Sequence, residues 1–282
     1  MIDAQSLSER LAEPGLLVLD ATVHLRRPPG GGPYRVESGR EDYLSAHIPG
    51  AAFADVAGDL ADPEARFPFA LPSPERFARA AGALGIGAGK HVVTYSQASP
   101  MWATRLWWLL RYFGFDEVSV LDGGLAHWRA LGLPVEVGPV ETAPAQFTPR
   151  VRRELLALRE EVIAVTRDGG SCLLNALAPE IFRGEGPSSY SRPGRIPGSS
   201  NAFWGSLVDP DTGCLLSPVE LERALEEAGA LGEEPVIAYC GGGISATVVL
   251  FALSLVGDQR ARLYDGSLTE WSADPALPLE VG

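Results

Sequence analysis

The stretch PVIAYCGGGISATVVLFALSLVG, residues 235–257, decides how this chain is read. Val236, Ile237, Ala238 and Tyr239 form a short apolar run behind Pro235, long enough for one buried strand of a parallel sheet. Cys240 and the glycines Gly241, Gly242 and Gly243 follow. The apolar run at 244–256 then has helical length and stops at Gly257, a residue suited to the left-handed C-terminal cap. A cysteine therefore stands where a strand ends, and a glycine loop carries the chain from it into a helix N-terminus. Glycines permit positive φ, so successive N–H groups can converge on one centre. The helix start adds unpaired donors and the positive end of a dipole. A thiolate placed there is stabilised and becomes an available nucleophile. The alternative is a structural cysteine beside a packing loop. Three consecutive glycines speak against it, since they cost backbone entropy and contribute no packing.

At 282 residues the chain has room for one large or two ordinary domains. Hydrophobic residues at 46% and charged residues at 21% describe a globular protein that stays in solution. The N-terminal MIDAQSLSERLAEPG has neither a basic nor an apolar targeting region, and no apolar run reaches bilayer length. A cytoplasmic address with no membrane partner is the expectation. A net charge of -13, with Lys90 as the sole lysine, leaves no basic surface for nucleic acid. An anionic substrate would need arginines gathered locally. Cys172, Cys214 and Cys240 are odd in number and widely spaced, which fits neither a disulfide framework nor a zinc site. No metal or cofactor is expected. Cys172 opens the apolar run at 172–174 and reads as core; Cys214 follows a turn at 209–213 and reads as structural.

Taken in order, the first half alternates strand and helix signals. An apolar run at 16–19 ends at Asp20, and a Pro/Gly segment occupies 28–33. HIPGAAF stands at 47–53, a helix signal opens at Ser73 and Pro74, and HVVTY stands at 91–95. An apolar segment at 101–113 ends at Gly114, and VSVLDGGLAHW closes the half at 118–128. This alternation points to an α/β fold with a parallel sheet covered on both faces. The second half repeats the order. CLLNA at 172–176 answers LVLDA at 17–21, and RIPGSSN at 195–201 answers HIPGAAF. IAYC at 237–240 answers VTYS at 93–96, and RLYDGSLTEW at 262–271 answers SVLDGGLAHW at 119–128, with offsets of 144 and 143. Equal order at near-constant spacing means duplication into two similar domains, 1–133 and 151–282. The connector at 134–150 carries Pro134, Pro139, Pro144 and Pro149 and reads as extended, stiff and superficial. Residues 152–167 have helical composition and open the second domain. Ser96 stands at the position of Cys240, followed by QASPM and with no histidine beside it, so it is a poor nucleophile. Chemistry is expected in the second half alone.

The tandem α/β repeats, the HIPGA-type motif, an LDGG-x-x-x-W motif and the strand-end cysteine loop together resemble the rhodanese family of sulfurtransferases. The resemblance covers nearly the whole chain. In that family CGSGVTA loops accompany 3-mercaptopyruvate sulfurtransferases and CRKGVT loops accompany thiosulfate enzymes; CGGGISA at 240–246 is nearer the first. The resemblance implies two tandem rhodanese-like domains, each a parallel sheet flanked by helices, and sulfur transfer through a cysteine persulfide. Sulfane sulfur would pass from a small anionic donor, 3-mercaptopyruvate or thiosulfate, to Cys240 and then to cyanide or a thiol.

By the same resemblance Cys240 is the nucleophile. Gly241, Gly242, Gly243, Ile244, Ser245, Ala246 and Thr247 supply the N–H cradle for the terminal sulfur. Ser245 either donates a hydrogen bond there or caps the helix. Arg183 and, nine residues later, Arg192 match the family's substrate-binding arginines, each able to clamp a carboxylate. Arg195 replaces the usual histidine before IPG and either joins the anion site or pairs with an acid. His47 keeps that histidine in the first half, where it either shuttles a proton or holds the loop after Tyr43. The family's loop serine is Gly242 here. Asn175 replaces the aspartate that Asp20 preserves, which would weaken a contact to an arginine. Asp265 and Trp271 repeat Asp122 and Trp128 and read as structural. A cysteine phosphatase is disfavoured, because C-x5-R would need arginine where Ala246 stands. A sulfur carrier that does not turn over, or a regulatory module, is the other alternative. The missing loop hydroxyl favours it and the intact glycine cradle opposes it.

Overall fold

The structure, a computed structural model, describes residues 1–26, 28, 32, 34–185 and 189–282. Most of the Pro/Gly segment at 28–33 lies outside the described residues. The chain divides into two compact units. Met1–His24, Val36–Arg152 and Asp209–Leu215 form the first; Leu25–Arg35, Arg153–Val208 and Leu216–Gly282 form the second. Strands β1 (Leu16–Asp20), β2 (Val23–Arg26), β3 (Arg35–Ser38), β4 (Ala52–Phe53), β5 (His91–Tyr95) and β6 (Val118–Val120) come first along the chain. Helices α1 (Ala4–Arg10), α2 (Arg40–Ser45), α3 (Pro74–Ala83), α4 (Pro100–Tyr112) and α5 (Gly124–Ala130) alternate with them. There follow α6 (Arg159–Asp168), β7 (Cys172–Asn175), α7 (Pro179–Phe182), β8 (Ser200–Asn201), α8 (Pro218–Glu227), β9 (Val236–Tyr239), α9 (Ala246–Leu255), β10 (Arg262–Leu263) and α10 (Ser267–Trp271).

The first unit's sheet runs β4-β1-β5-β6 and the second's β8-β7-β9-β10, with every pairing parallel. The two orders are the same order, so the repeat read from the sequence is a repeat of topology. Local signals explain the elements. Ser73 and Ser217 each precede a proline and accept the N–H three residues on, at Arg76 and Glu220, which starts α3 and α8. Helix α9 is buried on every side from Ala246 to Leu253, as expected of a helix without a polar face. Gly257 follows it at φ +96°, the left-handed stop its position predicts. Among the described residues no helix is long and apolar enough to cross a membrane.

The cores repeat as well. Trp128 packs with Tyr95, Val93, Ile48 and Leu125 in the first unit; Trp271 packs with Tyr239, Ile237, Ile196 and Leu268 in the second. Each indole N–H is satisfied by a proline carbonyl, Pro134 at 2.7 Å and Pro278 at 2.8 Å. Truncating either tryptophan to alanine costs about 3–5 kcal/mol.

Three features differ from, or add to, the pattern read from sequence. Residues 153–155 form only a 3₁₀ turn, and Leu156 then bridges Leu263 in parallel, so α6 starts at Arg159 rather than near 152. The backbone at 156–157 is engaged with β10 and cannot be helical. Residues 134–150 belong to the first unit. The N–H groups of Gly138, Ala145 and Arg150 go to carbonyls of Leu44, Gly82 and Phe113, that of Val140 goes to the Tyr43 hydroxyl, and Phe147 is buried. Proline spacing keeps this strap extended; main-chain bonds tie it down. Finally, residues 209–215 join the first unit, where Asp122 accepts the Leu215 N–H at 2.8 Å.

Candidate active site

In the second unit the strand order reverses between β7 and β9, so the loops after these two strands leave the sheet at its topological switch point, the usual ligand position in an open α/β sheet. Cys240 follows β9 directly and is 2% exposed. A serine holds its loop. Ser267 Oγ accepts the N–H of Cys240 at 3.0 Å and of Gly243 at 3.1 Å, and donates to the Tyr264 carbonyl at 2.8 Å. Ser267 itself sits at φ +50°, the left-handed region. Its counterpart in the first unit, Gly124, has φ +55°. The Cys240 carbonyl takes the Leu268 N–H, and the Gly241 carbonyl takes both the N–H and the hydroxyl of Thr269.

The carbonyl side of the loop is thus anchored, while several amides stay available. The N–H groups of Gly241, Gly242, Ile244 and Ser245 meet no acceptor among the described residues. Gly241, Ile244 and Ser245 are buried. Buried amides without partners are costly, and a set of them beside a cysteine can hold an anionic sulfur. The equivalent loop of the first unit illustrates the convergence: Ser96 Oγ accepts the N–H groups of Ala98 at 3.2 Å and Ser99 at 3.4 Å. Two members of the expected cradle are otherwise engaged. Gly243 gives its N–H to Ser267, and Thr247 gives its N–H and hydroxyl to the Ile244 carbonyl. Of the two possibilities for Ser245, capping is not seen, since its side chain makes no cap bond at the start of α9. Burial raises the pKa of the Cys172 and Cys214 thiols.

The arginines expected to gather have separate partners. Arg183 is exposed and forks onto Glu185, with Nε–Oε1 2.7 Å and the second bond 2.8 Å. Arg192 donates to the carbonyls of Ser272 at 3.0 Å and Asp274 at 2.7 Å, closing the C-terminal end of α10. Arg195 pairs with an acid: it lies 3.4 Å from Glu280, donates to the Gly282 carbonyl at 2.7 Å and covers the Phe182 ring. In the first unit His47 is fully buried, stacked on Tyr43, with Nδ1 2.8 Å from the Tyr43 carbonyl. Its backbone pairs with Glu136 in both directions. That is the geometry of a residue holding the loop after Tyr43. Asp20 meets Thr22 and Gln97 instead of an arginine, and Asn175 accepts the Leu177 N–H.

Sequence reasoning passed over Ser267, Thr269 and Tyr190. The signal for Ser267 was the exchange of the last glycine of LDGG for serine in YDGS. Tyr190 lies against Gly241, where an added Cβ would overlap its hydroxyl, so any larger residue at 241 requires the tyrosine to shift.

Comparison with known proteins agrees with this geometry. The family described as Rhodanese-like domain matches residues 3–131 and 179–274. The chain is 34% identical over 281 residues to the 3-mercaptopyruvate sulfurtransferase of Escherichia coli (strain K12), covering 99% of this chain and 97% of that one. It is 38% identical over 291 residues to a probable 3-mercaptopyruvate sulfurtransferase of Pseudomonas aeruginosa, covering 100% and 98%. The crystal structure of SseA from Escherichia coli superposes with a TM-score of 0.83 at 32% identity, covering 95% of this chain and 98% of that one. With both halves matched, a shared sheet order and a cysteine at the end of the second unit's β9, this chain belongs to the rhodanese-like family of sulfurtransferases, carrying the domain twice.

Proposed function

We propose that the protein takes sulfur from 3-mercaptopyruvate onto Cys240 and passes it to a thiol or to cyanide. The Cys240 thiolate attacks the donor's sulfur. A sulfur–sulfur bond forms, the carbon–sulfur bond breaks, and its electron pair stays on the three-carbon fragment as an enolate. That enolate takes up the proton released from the donor thiol and leaves as pyruvate. The persulfide anion on Cys240 is held by the amides of Gly241, Gly242, Ile244 and Ser245, which develop their bonds as charge arrives. An acceptor thiolate then attacks the outer sulfur, and Cys240 departs as thiolate.

Arg183 is the arginine suited to the donor's carboxylate. Its fork is occupied by one exposed carboxylate, Glu185, which a substrate carboxylate can replace in the same geometry. Arg192 and Arg195 act on the C-terminal segment. From Cys240 to Thr247 the loop has no cationic side chain, which favours a monocarboxylate donor over the dianion thiosulfate. The observation that carries the reading is the buried Cys240 beside amides without acceptors. Intact-mass analysis after incubation with 3-mercaptopyruvate tests it: one added sulfur on Cys240, with pyruvate released in equal amount, is expected. Sulfur on Cys172 or Cys214, or none, would overturn it.

A further inference from the structure

A cavity of about 350 Å³ opens within the first unit, between the start of α2, the end of β4, the turn at 55–60 and one face of α3. That volume lies at the small end of ligand sites and has room for a single small molecule. Two charged residues in its wall are engaged in building it. Arg76 donates to the carbonyls of Ala61 at 2.6 Å and Gly58 at 3.0 Å, which ties α3 to the turn. Asp55 Oδ1 accepts the Gly58 N–H at 2.9 Å, which closes that turn. The floor is apolar: Leu60 and Phe53 are buried, and Ala80, Ala83 and Leu84 of the α3 segment complete it.

Arg40, Asp59 and Arg79 line the same cavity and are not engaged in this way. Arg79 stands one helical turn after Arg76, and Asp59 follows Gly58, so the bond from Arg76 to Gly58 brings them together. Both are exposed, and neither side chain has an ion pair or hydrogen bond among the described residues. The Arg40 guanidinium meets only the Phe53 ring, 5.3 Å from carbon to centroid, and Phe53 is braced in turn by Tyr43 at 5.5 Å. That contact orients the guanidinium fork without using any of its donors. A net charge of -13 offers carboxylates in excess, yet these two guanidinium groups take none.

We propose that this cavity binds an α-amino acid with an apolar side chain. Arg40 and Arg79 take its carboxylate, Asp59 takes its ammonium group, and its side chain lies on Leu60, Ala80 and Leu84. A simple anion would meet like charge at Asp59, and a simple amine would meet it at two arginines. A ligand carrying both charges matches all three groups. The site belongs wholly to the first unit and does not depend on the sulfur-transfer reading.

Titration calorimetry on the full chain tests it with L-phenylalanine, with 3-phenylpropionate, which lacks the ammonium group, and with phenethylamine, which lacks the carboxylate. Wild type should bind phenylalanine roughly fivefold or more tightly than either analogue. Arg40→Gln, Arg79→Gln and Asp59→Asn should each weaken phenylalanine about three- to tenfold. Arg79→Gln should also weaken phenylpropionate and Asp59→Asn should not. All three side chains are exposed, so the variants keep the fold. No binding of phenylalanine by wild type, an analogue that binds as tightly, or unchanged affinity in Arg79→Gln and Asp59→Asn, overturns the site.

Discussion

Replacing Ser267 by alanine removes one oxygen with three bonds: from the amides of Cys240 and Gly243 at 3.0 and 3.1 Å, and to the Tyr264 carbonyl at 2.8 Å. The residue is fully buried, so water does not substitute. Each amide left unpaired costs about 1–3 kcal/mol, and partial relaxation of the loop brings the pair to about 2–4 kcal/mol. Glycine loses the same bonds but relieves the left-handed backbone at φ +50°, where an L-residue carries about 1 kcal/mol of strain. Ser267→Gly is therefore expected to be about 1 kcal/mol more stable than Ser267→Ala, with both below wild type. Urea unfolding gives the ranking. Hydrogen exchange at the Cys240 and Gly243 amides gives the location, with faster exchange in both variants. Sulfur loading from 3-mercaptopyruvate should slow in parallel, since the loop is no longer pinned. Ser267→Ala within about 0.5 kcal/mol of wild type, or less protection lost at those two amides than elsewhere, refutes the assignment of Ser267 as the anchor.

Cys240→Ser should abolish sulfur transfer, whereas Cys172→Ser and Cys214→Ser should retain it; equal loss in all three, in a steady-state cyanide assay, removes Cys240 from its role. Arg183→Ala should raise the donor's KM about tenfold with little change in kcat, as loss of a charged clamp does. Arg192→Ala should instead lower stability by about 1–3 kcal/mol, because its partners are main-chain carbonyls, and leave KM in place. Asp20 supplies a pH test. Burial holds its carboxyl above the ordinary value, so its favourable contribution is complete below the unfolded range near ~4 and is lost as pH rises through the folded value. Urea midpoints of Asp20→Asn should therefore rise relative to wild type as pH increases across that window; a flat difference means the carboxyl is not strained by burial.

The strand, the glycine loop and the left-handed stop around Cys240 were legible because each depends on neighbours in sequence. So was the duplication, which four matched segments carried. The fates of the arginines were not. Arg192 and Arg195 find carbonyls and a carboxylate at 271–282, about eighty residues on, and a guanidinium reads alike whether it meets a substrate or a backbone. The proline rhythm at 134–150 spoke for an extended path and was silent about the carbonyls that receive its amides. Ser267 was hidden for a related reason: in the duplicate the same backbone conformation is made with Gly124, so the pattern showed a turn and not the acceptor its hydroxyl becomes. Asn175 looked like a weakened acid, and its side-chain carbonyl instead accepts the Leu177 N–H, as Asp20 accepts that of Thr22.

Gln97 has a consequence for anyone wishing to graft a thiol site onto the first unit. Installing a thiol at position 96 would leave it stoppered, because the neighbouring glutamine is laced to Asp20 and Ala46. A working graft must clear that stopper along with placing the sulfur. Neither edit alone would open a thiol site there, so a graft has to carry both at once.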